Sequence, residues 1–302
     1  NTYTPYNAAF ESLFNSYYNS IGEQFPRPNR GMITRPSLEI VKSYREQIND
    51  RITRLLNKRT DKNLESLIEL GIQHEEQHQE LLVMDLKHLL SLNPTNPVFC
   101  VEGAQSLAMG PTKWIKFDAQ LKSFGHDEST FHFDNERPAH KRYLESYQLA
   151  SRLVTNQDFL NFISEGGYND PLLWLSDGWA WVKNDNICCP LYWKTLEGQW
   201  HEFTLSGLHA LALDNPVCHI SFYEAAAYAA WAAARLPTEF EWERASIKGH
   251  YTDDNIPVSF HPSSRQNKGN FSDLFGSVWQ WTNSNYLPFP RYKIPAGAVG
   301  EY

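Results

Sequence analysis

The run Gln73-His74-Glu75-Glu76-Gln77-His78-Gln79-Glu80 holds the densest chemistry in this sequence. On a helix, His74 and His78 stand one turn apart and share a face. Two imidazoles at that spacing chelate one divalent metal without distorting the helix. Imidazole ligation suits Fe(II), but it suits Zn, Cu and Ni as well, so the donors alone do not name the metal. A plainer reading makes the pair half-buried histidines bonded to the carboxylates around them, Glu75, Glu76, Glu80 and Asp85. The run also matches H-E-x-x-H, which would make Glu75 the general base of a zinc hydrolase. The extended form of that pattern needs a Gly and a further His, and Leu81 and Met84 stand at those positions.

Other residues have chemistry to offer nearby. Gln77 precedes His78, and a side-chain amide presents both a donor and an acceptor to a ring nitrogen; a solvent-facing glutamine is the ordinary alternative. Tyr17 and Tyr18 continue a helical stripe of Phe10, Leu13, Phe14 and Ile21. Core packing is the default there, although a phenol also bridges an apolar site and a polar reactant. Arg27 and Arg30 lie in a Pro- and Gly-containing loop over residues 24–35, with Arg35 at its end. Surface solvation is the usual fate of such arginines. A paired N–H clamp on a carboxylate is the functional alternative.

The elements that must position these groups fall into two patterns. Residues 1–97 read as helical. Periodicity predicts a helix through Tyr17, Tyr18 and Ile21, stopped by Gly22, then one carrying Leu38, Val41, Tyr44, Ile48, Ile52 and Leu55. A third is predicted over about residues 62–92, with Asn93-Pro94 ending it. On that helix the His74/His78 face also holds Leu67, Gly71, Leu81 and Leu82, so it is expected to point into an antiparallel bundle. A bundle with three visible helices suggests a fourth before Asn1. Residues 98–302 are mixed, with short strands, a strand-like alternation over residues 140–149, and scattered Gly and Pro. Ser221 with Glu224, and Thr238 with Glu241, form capping boxes ahead of two further helices. The class predicted is α+β in two domains.

Composition limits the partners. The 302 residues carry a net charge of −8, which argues against nucleic acid and anionic membrane surfaces. No apolar run is long enough to span a bilayer. Cys100, Cys188, Cys189 and Cys218 form no C-x-x-C pair, which points to reduced thiols and a cytoplasmic protein. The abundance of Trp, Tyr and Phe fits a core threaded by irregular backbone.

Longer stretches carry a resemblance. GIQHEEQHQELLVMDLKHLLSLNPTNP, from Gly71 to Pro97, resembles the metal-binding helix of the DinB-like domain in the sulfoxide synthases of ergothioneine biosynthesis, the EgtB family. Leu13-Phe14-Asn15-Ser16-Tyr17-Tyr18, Arg27-Pro28-Asn29-Arg30-Gly31 and Thr34-Arg35-Pro36 are similar to that family too, in its Asn-Ser-Tyr-Tyr branch. Phe133-Asp134-Asn135-Glu136, Val154-Thr155-Asn156, Trp174-Leu175-Ser176-Asp177-Gly178-Trp179, Arg235-Leu236-Pro237-Thr238-Glu239 and Phe275-Gly276-Ser277-Val278-Trp279-Gln280-Trp281-Thr282 resemble its sulfatase-modifying-factor-type domain, of C-type-lectin-like fold.

The resemblance implies a DinB-like helical bundle over 1–97 and a lectin-like domain over 98–302. It implies Fe(II) held by His74, His78 and a third histidine upstream of Asn1, and an arginine-rich closing segment beyond Tyr302. It implies Gln77 as a contact to the histidine-derived substrate hercynine and one of Tyr17 and Tyr18 as proton donor. Arg27 or Arg30 would hold the thiol donor, cysteine or γ-glutamylcysteine. Trp279 and Trp281 are expected in the second domain's core or lining a cleft. Cys188 and Cys189 are not placed like the cysteine pair of a formylglycine-generating enzyme. The rival readings are an ovothiol-type synthase, a zinc hydrolase using Glu75, and a non-catalytic lectin-like binding protein.

Overall fold

The computed structural model describes residues 3–58, 61–101, 107–127, 130–247, 260–264 and 269–301. The chain divides into two compact units. One gathers Asn1–Glu76, Gly125–Ala139 and Pro288–Tyr302; the other gathers Gln77–Phe124 and His140–Leu287.

In the first unit, helix α1 (Ala9–Leu13) is short and is followed by α2 (Leu38–Leu56); α3 (Lys62–Ser91) belongs to this unit up to Glu76 and to the second from Gln77. The expected helix through Tyr17 and Tyr18 does not form. Its stop is Asn15, one of the buried polar residues at 6% exposure. The Asn15 Oδ1 accepts from the backbone N–H of Tyr18 (3.0 Å), and its Nδ2 donates to the carbonyls of Tyr18 (2.8 Å) and Gly22 (3.1 Å). A side chain that satisfies backbone groups this way offers them an alternative to the helical ladder. Tyr17 and Tyr18 therefore sit in a loop, which Phe25 N closes on Asn15 O at 3.1 Å. Tyr44 of α2 packs against Phe10 of α1, edge to face at 5.2 Å between centroids.

Helix α3 matches the predicted span closely. Its environment does not match the expectation. Leu67, Leu81 and Leu82 on the His74/His78 face are exposed, Leu82 at 70%. Only Lys87 is buried along its length. Apolar periodicity located the helix, but the leucines of that face lie largely in solvent.

The second unit carries the core. Strand β1 (Trp114–Phe117) pairs antiparallel with β4 (Tyr147–Ala150), and β2 (Gln120–Phe124) with β3 (His140–Leu144). The predicted alternation over 140–149 is thus two strands in two sheets, broken at Glu145-Ser146. Strands β5 (Trp193–Leu196), β6 (Gln199–Thr204) and β7 (Gly207–Ala210) form an antiparallel meander. Helices α4 (Asn156–Ser164), α5 (Ser176–Asp185), α6 (Phe222–Trp231) and α7 (Glu239–Ser246) complete the unit. Both predicted capping boxes are present, and Thr155 with Asp158 adds a third at α4. Phe159, Phe162, Tyr168, Trp174, Trp193 and Ala227 form the centre of one aromatic cluster. Gly178 of α5 is required there, because a Cβ would come 2.6 Å from Tyr223 Cβ.

Candidate functional site

His74, Gln77 and His78 all lie on α3, with His74 half-buried and the other two exposed. The one-turn spacing of the imidazoles is a property of the helix itself and allows both to reach one metal ion. Among the described residues no group of three or more His, Cys, Asp or Glu is gathered around a common point. The pair fits a divalent metal in donor type and spacing and could supply two of its ligands. Glu75 is engaged elsewhere. Its Oε1 accepts from Arg45 Nη1 of α2 at 3.0 Å, in a solvent-exposed ion pair. That pairing weighs against a hydrolase in which Glu75 serves as free base.

The second group of expected residues is brought together in the first unit. The Arg27 guanidinium lies 5.1 Å from the centre of the Tyr17 ring, a cation–π placement. Arg30 Nη2 donates to Ser16 O at 3.3 Å. Both arginines belong to a 3-10 turn, Arg27–Met32, that starts right after Pro26. Arg35 donates to its neighbour's carbonyl, Thr34 O, at 2.7 Å. Gln24 Nε2 donates to Tyr17 O at 2.8 Å. Glu301 adds a clamp from the far end of the chain. Its carboxylate accepts from Asn19 N (2.7 Å) and Ser20 N (2.9 Å). Hydrogen bonding to Ser20, from its side chain first and its backbone next, with Asn19 N adding to it, holds the Glu301 carboxyl below the usual carboxylate range. The tyrosine loop is thus held by Asn15 from within and by Glu301 from outside. Neither was expected from the sequence.

A third group was missed altogether. Lys87 is 5% exposed. Its Nζ donates to His219 Nε2 at 2.7 Å and lies 4.8 Å from the centre of the Tyr192 ring. Desolvation by burial pushes the Lys87 pKa down, against the pull of Cys218 and Glu202. Burial, with the charge of Lys87 next, pushes His219 down to about 3, so its imidazole is neutral and accepts. Burial pushes the Cys218 thiol up to about 12. The signal was available: Lys87 occupies the stripe of Val83, Leu86 and Leu90, where a lysine is out of place.

Trp279 and Trp281 are not core residues. Trp279 is 84% exposed and donates to Glu80 Oε1 at 2.5 Å. Trp281 is half exposed, donates to Ile220 O at 3.0 Å and meets Phe222 edge on. Their exposure removes the core from the two places expected for them, core or cleft lining. Here the indole N–H groups instead serve as anchors on the surface.

Comparison with known proteins defines the class first. Residues 116–265 match the sulfatase-modifying factor enzyme 1-like domain, so the α+β region is a domain of that family, with the lectin-like fold expected of it. Beyond that domain, the chain is similar to hercynine oxygenases over about three quarters of its length. It is 31% identical to hercynine oxygenase of Mycolicibacterium smegmatis over 74% of its length, and 28% identical to that of Mycobacterium tuberculosis over 73%. A third, from Mycolicibacterium thermoresistibile, is 31% identical over 55%. These matches span 57%, 57% and 42% of the three relatives, so the chain covers about half the length of the proteins it resembles. No helix among the described residues is long and apolar enough to cross a membrane.

Proposed function

We propose that this chain forms the site-bearing part of an iron(II)- and O2-dependent sulfoxide synthase of ergothioneine biosynthesis. It would join cysteine or γ-glutamylcysteine to hercynine. One observation carries the reading. The likeness to hercynine oxygenases covers 74% of the chain, well beyond residues 116–265, so it is not confined to the lectin-like domain. In this reading residues 1–97 are the metal-bearing helical domain and 98–302 the lectin-like one. The substrates are small molecules and the setting is cytoplasmic, with no nucleic acid or membrane partner.

The reaction balances as thiol plus imidazole C–H plus O2 giving a C–S(=O) product and water. His74 and His78 would hold the iron, whose chemistry is to bring thiolate and O2 together and activate the latter. The remaining roles belong to side chains. Gln77, one residue before His78, is suited to bond the hercynine imidazole, because its amide offers a donor to the acceptor ring nitrogen or an acceptor to the ring N–H. Arg27 and Arg30 would fork onto the carboxylate of the thiol donor. Arg27 already stacks on Tyr17, so carboxylate recognition and the phenol share one loop. Tyr17 or Tyr18 would deliver a proton to the reduced oxygen. The two stand in a loop rather than on a helix, so neighbouring phenols need not diverge by a helical turn angle.

The test uses the intact protein. His74→Ala and His78→Ala should each abolish stoichiometric Fe(II) binding and sulfoxide formation while leaving the circular dichroism of the helices in place. Of Tyr17→Phe and Tyr18→Phe, one should keep Fe(II) and hercynine binding yet shift the product from sulfoxide toward sulfinic acid of the thiol donor. Normal iron binding in the double histidine variant would place the metal elsewhere and end this reading.

A further inference from the structure

Helix α3 is fastened along one face of its second half. Glu80 accepts from the Trp279 indole at 2.5 Å. Two turns on, Lys87 reaches His219 at 2.7 Å and the Tyr192 ring at 4.8 Å. Its neighbour His88 has Nδ1 3.3 Å from the Tyr192 hydroxyl. All of these residues belong to one compact unit. At about 100° per residue, Glu80 and Lys87 stand within about 20° of each other around the helix. On the same basis both are about 160–180° from His78.

The receiving side is built for this. Tyr192 and His219 are both non-glycine residues at positive φ, 74° and 60°. Such backbone is costly for a side chain with a Cβ and persists only where its surroundings enforce it. Leu191 N donates to His219 O at 3.3 Å, tying the two strained positions together. The strain turns an aromatic face and an imidazole lone pair onto one ammonium group. A directional bond to a buried cation fixes rotation; apolar contact, which has no direction, would hold the helix without fixing it.

We propose that Glu80 and Lys87 are positioning residues that set the rotational register of α3 from Gln77 to Ser91, turning His78 away from the socket formed by Tyr192 and His219. A slip of one residue would rotate the His78 imidazole by about 100° and shift it by about 1.5 Å. The function served rests on reading His74 and His78 as metal donors; the anchoring does not.

The test combines amide hydrogen exchange on the metal-free intact protein with a Co(II) titration. Lys87→Met should leave the protein folded, speed exchange at least about tenfold along α3 from Gln77 to Ser91, and spare the aromatic core around Phe162. Co(II) binding should weaken about tenfold or more. Glu80→Ala, at an exposed position that tolerates truncation, should give the same pattern more weakly. Glu80→Gln keeps an acceptor for Trp279 and should restore it. Uniformly faster exchange across the whole unit would mean general destabilisation and overturn the proposal. So would wild-type exchange on α3 in Lys87→Met. If the wild-type protein takes up no Co(II), the metal reading fails, and the exchange measurements decide the anchoring alone.

Discussion

Around Asn15 polar side chains hold a loop by its backbone, whereas around Phe162 apolar rings hold helices by their packing. In the first region the described helices keep Leu38 and Leu67 in solvent, and few of the described side chains are buried. In the second, Phe159 and Phe162 are fully buried and ringed by Tyr168, Trp174 and Trp193. The expected tyrosines and arginines belong to the lightly packed region, where geometry depends on a few hydrogen bonds. The sulfatase-modifying-factor-like domain supplies the rigid body. The contrast teaches that truncating an apolar side chain and removing a polar one should rank oppositely in the two regions.

The largest effect expected is in the core. Phe162→Ala should cost about 3–5 kcal/mol, as buried aromatic deletions do. Leu67→Ala on the exposed face of α3, where the side chain is 56% exposed, should stay within about 0.5 kcal/mol. Urea denaturation of the two variants compares them directly. A loss for Leu67→Ala approaching that for Phe162→Ala would show that this face is covered in solution, and the comparison between regions would break.

The next effect comes from His219, whose imidazole belongs to the packed region yet carries polar chemistry. Its pKa moves from 6.5 to about 3 on folding. Between those values the unfolded chain binds a proton that the folded protein refuses, so stability rises with pH across the window. Acidification from pH 7 toward pH 3 should therefore remove stability, by a few kcal/mol at most on the scale of about 1.4 kcal/mol per unit. His219→Gln should flatten that slope in denaturation midpoints measured at pH 4, 5, 6 and 7. An unchanged slope would show that Lys87 and its neighbours leave this histidine able to titrate normally.

What was legible in the sequence follows the same division. Helix α3 was legible because its signal is local: a long periodic run ended by Asn93-Pro94. The capping boxes at Ser221 and Thr238 were legible for the same reason. The placement of Tyr17 and Tyr18 was not. The apolar stripe argued for a helix, and the hydrogen bonds that end it at Asn15 reach to Gly22 and Glu23. The Lys87 socket was half legible. A lysine in the stripe of Val83, Leu86 and Leu90 is visible in the sequence. Its partners are not, because Tyr192 and His219 come from distant segments and owe their orientation to positive φ, which their residue types do not announce. His74 and His78 were legible as a pair, while the exposure of their face was not, since periodicity identifies an apolar face without saying what lies against it.

The smallest effects belong to the tyrosine loop, and they separate its two supports. Asn15→Ala would leave the backbone groups of Tyr18 and Gly22 without their buried partner, at about 1–3 kcal/mol for the local structure. Glu301 is fully exposed, so its bonds to Asn19 N and Ser20 N compete with water and should matter less. Exchange of the Asn19 and Ser20 amides reads both. Asn15→Ala should speed it more than about tenfold, and Glu301→Gln by less. The sign of the pH effect is set by the lowered Glu301 pKa. The clamp is present above the ordinary carboxylate range and is lost as pH falls through the lowered folded value. Protection at those two amides, corrected for intrinsic exchange, should accordingly fall on acidification in the wild type and stay flat in Glu301→Gln. Equal protection in wild type and Glu301→Gln at neutral pH would remove Glu301 from the loop's supports, and would sharpen the contrast between a loop held by a few polar side chains and a core held by many rings.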